Sequence, residues 1–288
     1  MANVLVTGAS KGIGLATALA FARAGHRVAA GMRNPAQAPE LAKIAATENL
    51  PVAIETLDVD DDGSVSRAFD RIVQAIGPID VLVNNAGIER VGAVEDVSMD
   101  DFRAVMETNY FGAVRCIKAV VPSMRERRSG CIVNITSISG RLAGSPMAPY
   151  AASKFALEAL SECLAQEVKP FNVRVFVVEP GIIDTSMAAR ISTDSEQACY
   201  TSRNRMAALF RSSLQHATAP SLVADSIVAL VAGDSTQLRH PVGPDAAPFI
   251  AWRQAMSDEA WVAWGALDDA AWYAAVEADF GMDVRPKA

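Results

Sequence analysis

The chain lacks the features that mark several large functional classes. Its four cysteines, Cys116, Cys131, Cys163 and Cys199, show neither a C-x-x-C pair nor metal-ligand spacing, so no metal site is expected. Cys116, Cys131 and Cys163 stand in apolar stretches, which reads as buried thiols in a reducing compartment. No basic n-region, long apolar h-region or membrane-spanning run is present, and the first residues, Met1 to Val6, enter a strand at once. A soluble, cytoplasmic protein without a membrane partner is the expectation. Basic residues are in the minority, 26 against 33 acidic for a net charge of −7, which argues against nucleic acid as a partner. The densest basic group, Arg125, Arg127 and Arg128, reads as the solvated end of a helix. No linker rich in Pro, Gly or Ser divides the first 180 residues, and there is no repeat or low-complexity tract. With 51% hydrophobic and 20% charged residues the chain is not disordered, and a mean hydropathy of +0.18 provides for a generous core.

What is present is an alternation of short apolar runs and helical patterns. Val4–Val6, His26–Ala30, Val52–Leu57, Ile79–Val83, Cys131–Ile135 and Val173–Val178 read as strands, several of them apolar on both faces. That is the mark of a parallel sheet buried between helix layers. Segments near 12–25, 36–49, 63–76, 100–127 and 149–169 carry three- and four-residue apolar spacing. The alternation implies right-handed βαβ units and an α/β, doubly wound parallel sheet, a Rossmann fold. After Pro180-Gly181 the pattern loosens into a polar stretch, 184–218, read as a flap; a helix near 220–233 and a strand near 238–242 close the sheet. We therefore expect one domain over 1–243 and a helical C-terminal extension over 244–288 packed on it. That tail holds all four tryptophans, Trp252, Trp261, Trp264 and Trp272, which suits packing on the body or across a subunit contact; substrate lining is the alternative.

Several motifs fall at the carboxyl ends of these strands. Thr7-Gly8-Ala9-Ser10-Lys11-Gly12-Ile13-Gly14 follows the first strand and opens a helix. Gly8 permits a tight turn, Gly12 lets backbone approach a pyrophosphate, and Gly14 allows close helix–sheet packing; the helix N-terminus supplies free N–H groups to an anion. At the end of the second strand an acid would bind the 2′-hydroxyl of NAD, but the chain reads Gly31-Met32-Arg33-Asn34, with no carboxylate before Glu40. Arg33 can fork around a 2′-phosphate and Lys11 adds a second cation, so NADP(H) is preferred over NAD(H); a solvated surface arginine is the alternative. Asn84-Asn85-Ala86-Gly87 closes the fourth strand, where small residues suit close contact with a cofactor or a plain turn. Ser137 ends the fifth strand thirteen positions before Tyr150, and Pro180-Gly181-Ile182-Ile183-Asp184-Thr185 leaves the sixth on the same edge. Tyr150 and Lys154 are four apart, one above the other on a helix, where a cation can stabilise a phenolate and make an acid/base of tyrosine.

Together these residues resemble the short-chain dehydrogenase/reductase family in its compact single-domain form, over roughly residues 3–243. The resemblance implies that Thr7, Gly8, Ser10, Lys11, Gly12, Ile13 and Gly14 form the cofactor loop, that Asp58 and Val59 contact the adenine, and that Asn84, Ala86 and Gly87 form its NNAG motif. It further implies a catalytic tetrad of Asn109, Ser137, Tyr150 and Lys154, with Pro180, Gly181, Ile183 and Thr185 holding the nicotinamide carboxamide. Met32-Arg33-Asn34-Pro35 and the long tail look like the bacterial relatives of the 17β-hydroxysteroid dehydrogenase branch.

The implied reaction is reversible hydride transfer between NADP(H) and a carbonyl or secondary alcohol. Ser137 would fix the substrate oxygen, Tyr150 would give the proton, and Asn109 would hold a water leading to solvent. Lys154 would hold the nicotinamide ribose, together with Tyr150, and lower the Tyr150 pKa from about 10. For the substrate, Ser139, Met147 and Met187, with Ile88, Arg141, Tyr200, Met206 and Phe210, suggest a mostly apolar pocket for a ketone or aldehyde of medium size. Arg90 and Arg141 leave a carboxylate-bearing substrate open. Alternatives are an NAD-linked alcohol dehydrogenase and a non-catalytic nucleotide-sensing protein. Common tetrameric members end in a Val-Asp-Gly-Gly-type strand, where this chain has Leu238-Arg239-His240-Pro241-Val242-Gly243 and a long continuation. A homodimer through the helices around 100–127 and 149–169 is therefore favoured.

Overall fold

Short apolar runs form the inner strands because both of their faces find apolar cover. The computed structural model describes residues 1–194 and 200–285. Its strands are β1 (Asn3–Thr7), β2 (Arg27–Met32), β3 (Val52–Thr56), β4 (Val81–Asn84), β5 (Gly130–Ile135), β6 (Val173–Pro180) and β7 (Arg239–Val242). All pair in parallel, in the order β3-β2-β1-β4-β5-β6-β7. The order reverses between β1 and β4, so the connections leave in opposite directions and part at the carboxyl edge.

Side chains alternate across each strand and feed two separate cores. Val4 and Val6 of β1 face the layer of α1 (Gly12–Arg23), α2 (Pro39–Thr47) and α9 (Pro220–Ala232), in one core with Phe21, Leu41, Val223 and Ile227. Leu5, between them, points to the other side, among Phe69 and Ile72 of α3 (Asp62–Ile76) and Val120 of α5 (Gly112–Arg127). Val4, Leu5 and Val6 are fully buried, each contributing about 1.5–3 kcal/mol of apolar transfer. A polar residue at Leu5 would break the second layer.

The helix expected over 100–127 is divided. After α4 (Met99–Met106) comes a π-helical turn at Glu107–Phe111, in which the Gly112 N–H reaches the Glu107 carbonyl, and then α5. Gly112 permits the join: a Cβ there would lie 2.7 Å from Val59 Cγ2. Beyond β5, α6 (Ala148–Val168) buries Leu157, Ser161, Leu164 and Val168 along one stripe. Cys163 lies off that stripe and is exposed, correcting its reading as a buried thiol. Cys116 and Cys131 are buried, and burial pushes both thiols up to about 12. Cys199 lies outside the described residues.

The stretch read as a flap contains α7 (Ser186–Ile191) and α8 (Ser202–Leu214), tied back to the sheet edge by a parallel bridge between Ile183 and Thr218. The tail forms α10 (Ala246–Gln254), α11 (Asp258–Gly265) and α12 (Asp269–Phe280). Its tryptophans pack on one another and on α8: Trp261 stacks on Trp264 at 5.6 Å, and Trp272 and Val276 meet Ala208.

Candidate active site

A cavity of about 810 Å³ opens where the strand order reverses. Its floor is knitted by hydrogen bonds between the ends of β1 and β4. Thr7 Oγ1 accepts from the Asn85 N–H (3.0 Å) and the Ala86 N–H (3.1 Å), and Asn85 Nδ2 donates to the carbonyls of Thr7 (2.9 Å) and Gly8 (3.1 Å). Gly8 has φ +65°, and a Cβ there would lie 2.8 Å from Ala86 Cα, so no larger residue fits. Lys11, the N-cap of α1, offers no side-chain cap, and the first turn holds no acid. The first N–H groups of α1 are thus left for an anion at the wall that Gly12 and Ile13 form.

Ser10, Lys11 and Arg33 line the same cavity, as do Asp58 and Val59. Both cations are exposed, and the first acid after β2, Glu40, lies on the lining too. Asp60 beside them accepts from Thr108 Oγ1 at 2.9 Å; burial raises its pKa and the Arg33 charge opposes the rise.

The other end of the cavity collects Ser137, Tyr150 and Lys154. Tyr150 is 9% exposed and hydrogen-bonded to Ser137. Burial pushes its phenol up to about 12, against the Ser137 hydrogen bond and with help from the nearby Glu89 charge. This corrects the expectation that Lys154 lowers the Tyr150 pKa: withdrawal from water dominates at this edge of the sheet. Lys154 Nζ donates to the Ile135 carbonyl at 2.9 Å and lies 5.6 Å from the Tyr150 ring centroid. Burial lowers it to about 8, and the charge of Glu158 opposes that drop. At neutral pH the pair is a neutral phenol beside an ammonium, the state that gives a proton away.

Asn109 stands behind the lining. Its Nδ2 donates to the Ile88 carbonyl and to Ser153 Oγ, both at 2.9 Å, and its Oδ1 accepts from the Ile88 N–H at 2.8 Å. Ser153 in turn donates to the Tyr150 carbonyl at 2.7 Å, so Asn109 ties the chain after β4 to the first turns of α6. Thr7 and Gly14 are also behind the surface. Asn84 points inward, where Nδ2 donates to Asn134 Oδ1 at 2.9 Å and Asn134 continues to Ser161 at 2.8 Å. Ala86 and Gly87 lie on the lining, with Pro180, Gly181, Ile183 and Thr185. Thr185 also caps α7, accepting from the Ala188 N–H at 3.2 Å.

Of the expected substrate contacts, Ser139, Met147, Met187, Ile88, Met206 and Phe210 line the cavity. Arg141, Arg90 and Tyr200 are engaged elsewhere, with Glu179 (2.9 Å), Asp101 (2.5 Å) and Glu95 (2.9 Å). None of the tryptophans reaches the lining, although Phe249 of α10 does. Trp261 acts one step back, donating from Nε1 to the Ala143 carbonyl at 3.1 Å, next to Gly144 on the wall.

Sequence reasoning missed three supports. Arg190 of α7 clasps Glu89 with both carboxylate oxygens (2.8 and 3.1 Å). Asp245 Oδ2 accepts from the Ile182 N–H at 2.7 Å and fixes the segment after β6. Glu158 lies one turn beyond Lys154. Only the last carried a visible signal, an acid at i+4 from the lysine.

The chain's residues 2–196 match the family model described as short chain dehydrogenase. Oxidoreductase BOA17 of Botryotinia fuckeliana is 36% identical over 263 residues, covering 89% of this chain and 95% of that protein. Among solved structures, a short-chain dehydrogenase from Streptomyces avermitilis superposes with a TM-score of 0.76 at 34% identity, covering 88% of this chain and 92% of its own. The actinorhodin polyketide ketoreductase with NADPH gives 0.76 at 30% identity, over 85% and 97%.

Proposed function

The chain belongs to the short-chain dehydrogenase/reductase family, and from that premise we propose that it is an NADP(H)-dependent reductase of ketones or aldehydes, reversible toward the alcohol. The observation that carries this reading is that Ser137, Tyr150 and Lys154 share one cavity with the glycine loop and Arg33. The residues present fit the cofactor. The uncapped start of α1 suits a pyrophosphate, Arg33 and Lys11 suit a 2′-phosphate, and the segment Pro180–Thr185 suits a carboxamide. When bound, the nicotinamide supplies the hydride.

The chain's own residues position the substrate and move the proton. Ser137 holds the substrate oxygen through its hydroxyl, and Tyr150, neutral at pH 7, donates its phenolic proton to that oxygen as charge develops there. Lys154 stabilises the phenolate left behind and, with Tyr150, grips the ribose hydroxyls. Asn109 keeps α6 in register with the chain after β4. Met147, Met187, Met206 and Phe210 make a pliant apolar wall, which suits a medium-sized apolar substrate. Phe111 and Phe155 are 45% and 42% exposed beside α5 and on α6, which supports a dimer through those helices.

The test is NADPH oxidation across a panel of carbonyl compounds, with Tyr150→Phe as control. The variant should lose about 10²–10⁴-fold in turnover and keep near-normal NADPH binding; unchanged turnover refutes the assignment. NADPH binding without reduction of any carbonyl in the panel would indicate a nucleotide-sensing protein instead. A preference for NADH would favour an NAD-linked alcohol dehydrogenase. A monomer in sedimentation velocity would remove the dimer.

A further inference from the structure

Behind Lys154 lies a charge cluster to which the reaction above assigns no role. Glu158 is 4% exposed and Glu179, the residue before Pro180, is fully buried. Arg239 of β7 joins them: its Nε donates to Glu158 Oε2 at 2.8 Å and lies 3.7 Å from Glu179 Oε1, while Nη2 bonds Glu162 at the surface. Arg141, just beyond Ser139, donates to the same Glu179 oxygen at 2.9 Å. The Thr136 hydroxyl, which donates to the Val178 carbonyl at 3.1 Å, lies beside Glu158. Gly140 closes over it, since a Cβ there would lie 3.0 Å from Glu158 Cγ. Glu158 Oε1 and Glu179 Oε2 are buried without a hydrogen-bond partner among the described residues. Such an arrangement is a poor source of stability, because desolvating the charges offsets their attraction.

Its position suggests what it does. Lys154 is a buried ammonium with one hydrogen bond, to the Ile135 carbonyl, and a buried cation needs a counter-charge. The groups around it come from several elements. Tyr150 and Glu158 share α6 with it; Glu89 follows β4, Glu179 is on β6, Arg239 is on β7, and Arg141 follows β5. Glu89 is clasped by Arg190 and acts on Tyr150. Glu179 is taken by Arg141. Glu158 is the carboxylate whose charge acts on Lys154.

We propose that Glu158, gripped by Arg239, is a positioning residue: its buried carboxylate is the counter-charge that keeps the Lys154 ammonium charged and in place beside Tyr150. Through Arg239, Glu179 and Arg141 the same cluster ties α6 to the segments presenting Ser137 and Pro180–Gly181. The kinetic consequence rests on the hydride-transfer reading, whereas the electrostatic one does not.

The test follows Lys154 directly. Full-length protein carrying ε-¹³C-lysine is titrated by NMR, the Lys154 signal being assigned with Lys154→Met. In Glu158→Gln the Lys154 midpoint should fall by about one pH unit or more, and Glu158→Asp should restore part of it. The alkaline limb of kcat for carbonyl reduction should move down by the same amount. If Glu158→Gln fails to fold, Glu158→Met gives the same reading, because it removes the carboxylate at similar reach while Arg239 keeps Glu162 as a partner. A variant with a lowered melting temperature but an unmoved Lys154 midpoint has lost only structure, and overturns the proposal. A moved midpoint in a protein that reduces none of the carbonyls tested supports the proposal while removing the reductase reading.

Discussion

Replacing Lys154 by methionine should abolish turnover and yet make the protein more stable. Burial takes the ammonium from its ordinary 10.5 to about 8, a drop equivalent to about 3 kcal/mol spent keeping the charge out of water. Methionine has a similar reach and leaves no large cavity. The substitution loses the bond from Nζ to the Ile135 carbonyl, worth about 1.5–3 kcal/mol to a charged donor. Glu158 keeps Arg239 as its partner at 2.8 Å. The balance is a net gain of about 1 kcal/mol, or a rise of about 2–4 °C in melting temperature for a chain of this size. The pH dependence has a definite sign. Below about pH 8 folded and unfolded chains both hold the Lys154 proton and the full penalty is present. Between there and about 10.5 the folded protein alone releases it, so the wild type recovers stability as pH rises and the gap to the variant closes. Differential scanning calorimetry of both proteins between about pH 6.5 and pH 10 measures it. A variant several degrees less stable than wild type, or an advantage that grows above pH 8, would refute the burial argument.

Two further outcomes concern the cofactor end. Arg33→Ala should weaken NADPH binding about 10–100-fold by loss of a charge-assisted contact and leave NADH binding nearly unchanged in calorimetric titration; equal losses for both would remove the 2′-phosphate role. Gly14→Ala should destabilise the protein by about 1–3 kcal/mol, because the new Cβ would meet Gly8 O and Asn85 Nδ2, each at 2.4 Å, and both belong to the bonded floor of the cavity. Helix propensity alone would favour alanine by about 1 kcal/mol, so a raised melting temperature would show that the loop has room.

The doubly wound parallel sheet was legible because several of its strands are apolar on both faces, a pattern that few other architectures use. The helix over 100–127 was read as continuous because a π turn leaves the apolar spacing nearly intact. Only Asn109 and Gly112, a poor helix former and the poorest short of proline, hinted at the break, and Gly112 owes its place to Val59. Cys163 was misplaced for a related reason. Apolar neighbours in sequence do not share a helix face; the buried stripe of α6 passes through Ser161 and Leu164, on either side of it.

The residues proposed to be catalytic and the conditions under which they work differ in kind. Tyr150 and Lys154 are four apart, so helix geometry alone brings them together, and a local pattern could find them. What sets their protonation comes from much farther along the chain: Glu89 reaches Tyr150 from the end of β4, and Arg239 reaches Glu158 across 81 positions. Burial then reverses the direction expected for the phenol. A lysine beside a tyrosine in water lowers its pKa; the same pair behind a sheet edge is governed by the loss of water first and by its neighbours second. The candidate site therefore carries a neutral acid and a buried cation, and the residues proposed to stabilise that cation are placed by the sheet order, since β7 lies beside β6 with Val177 opposite Arg239.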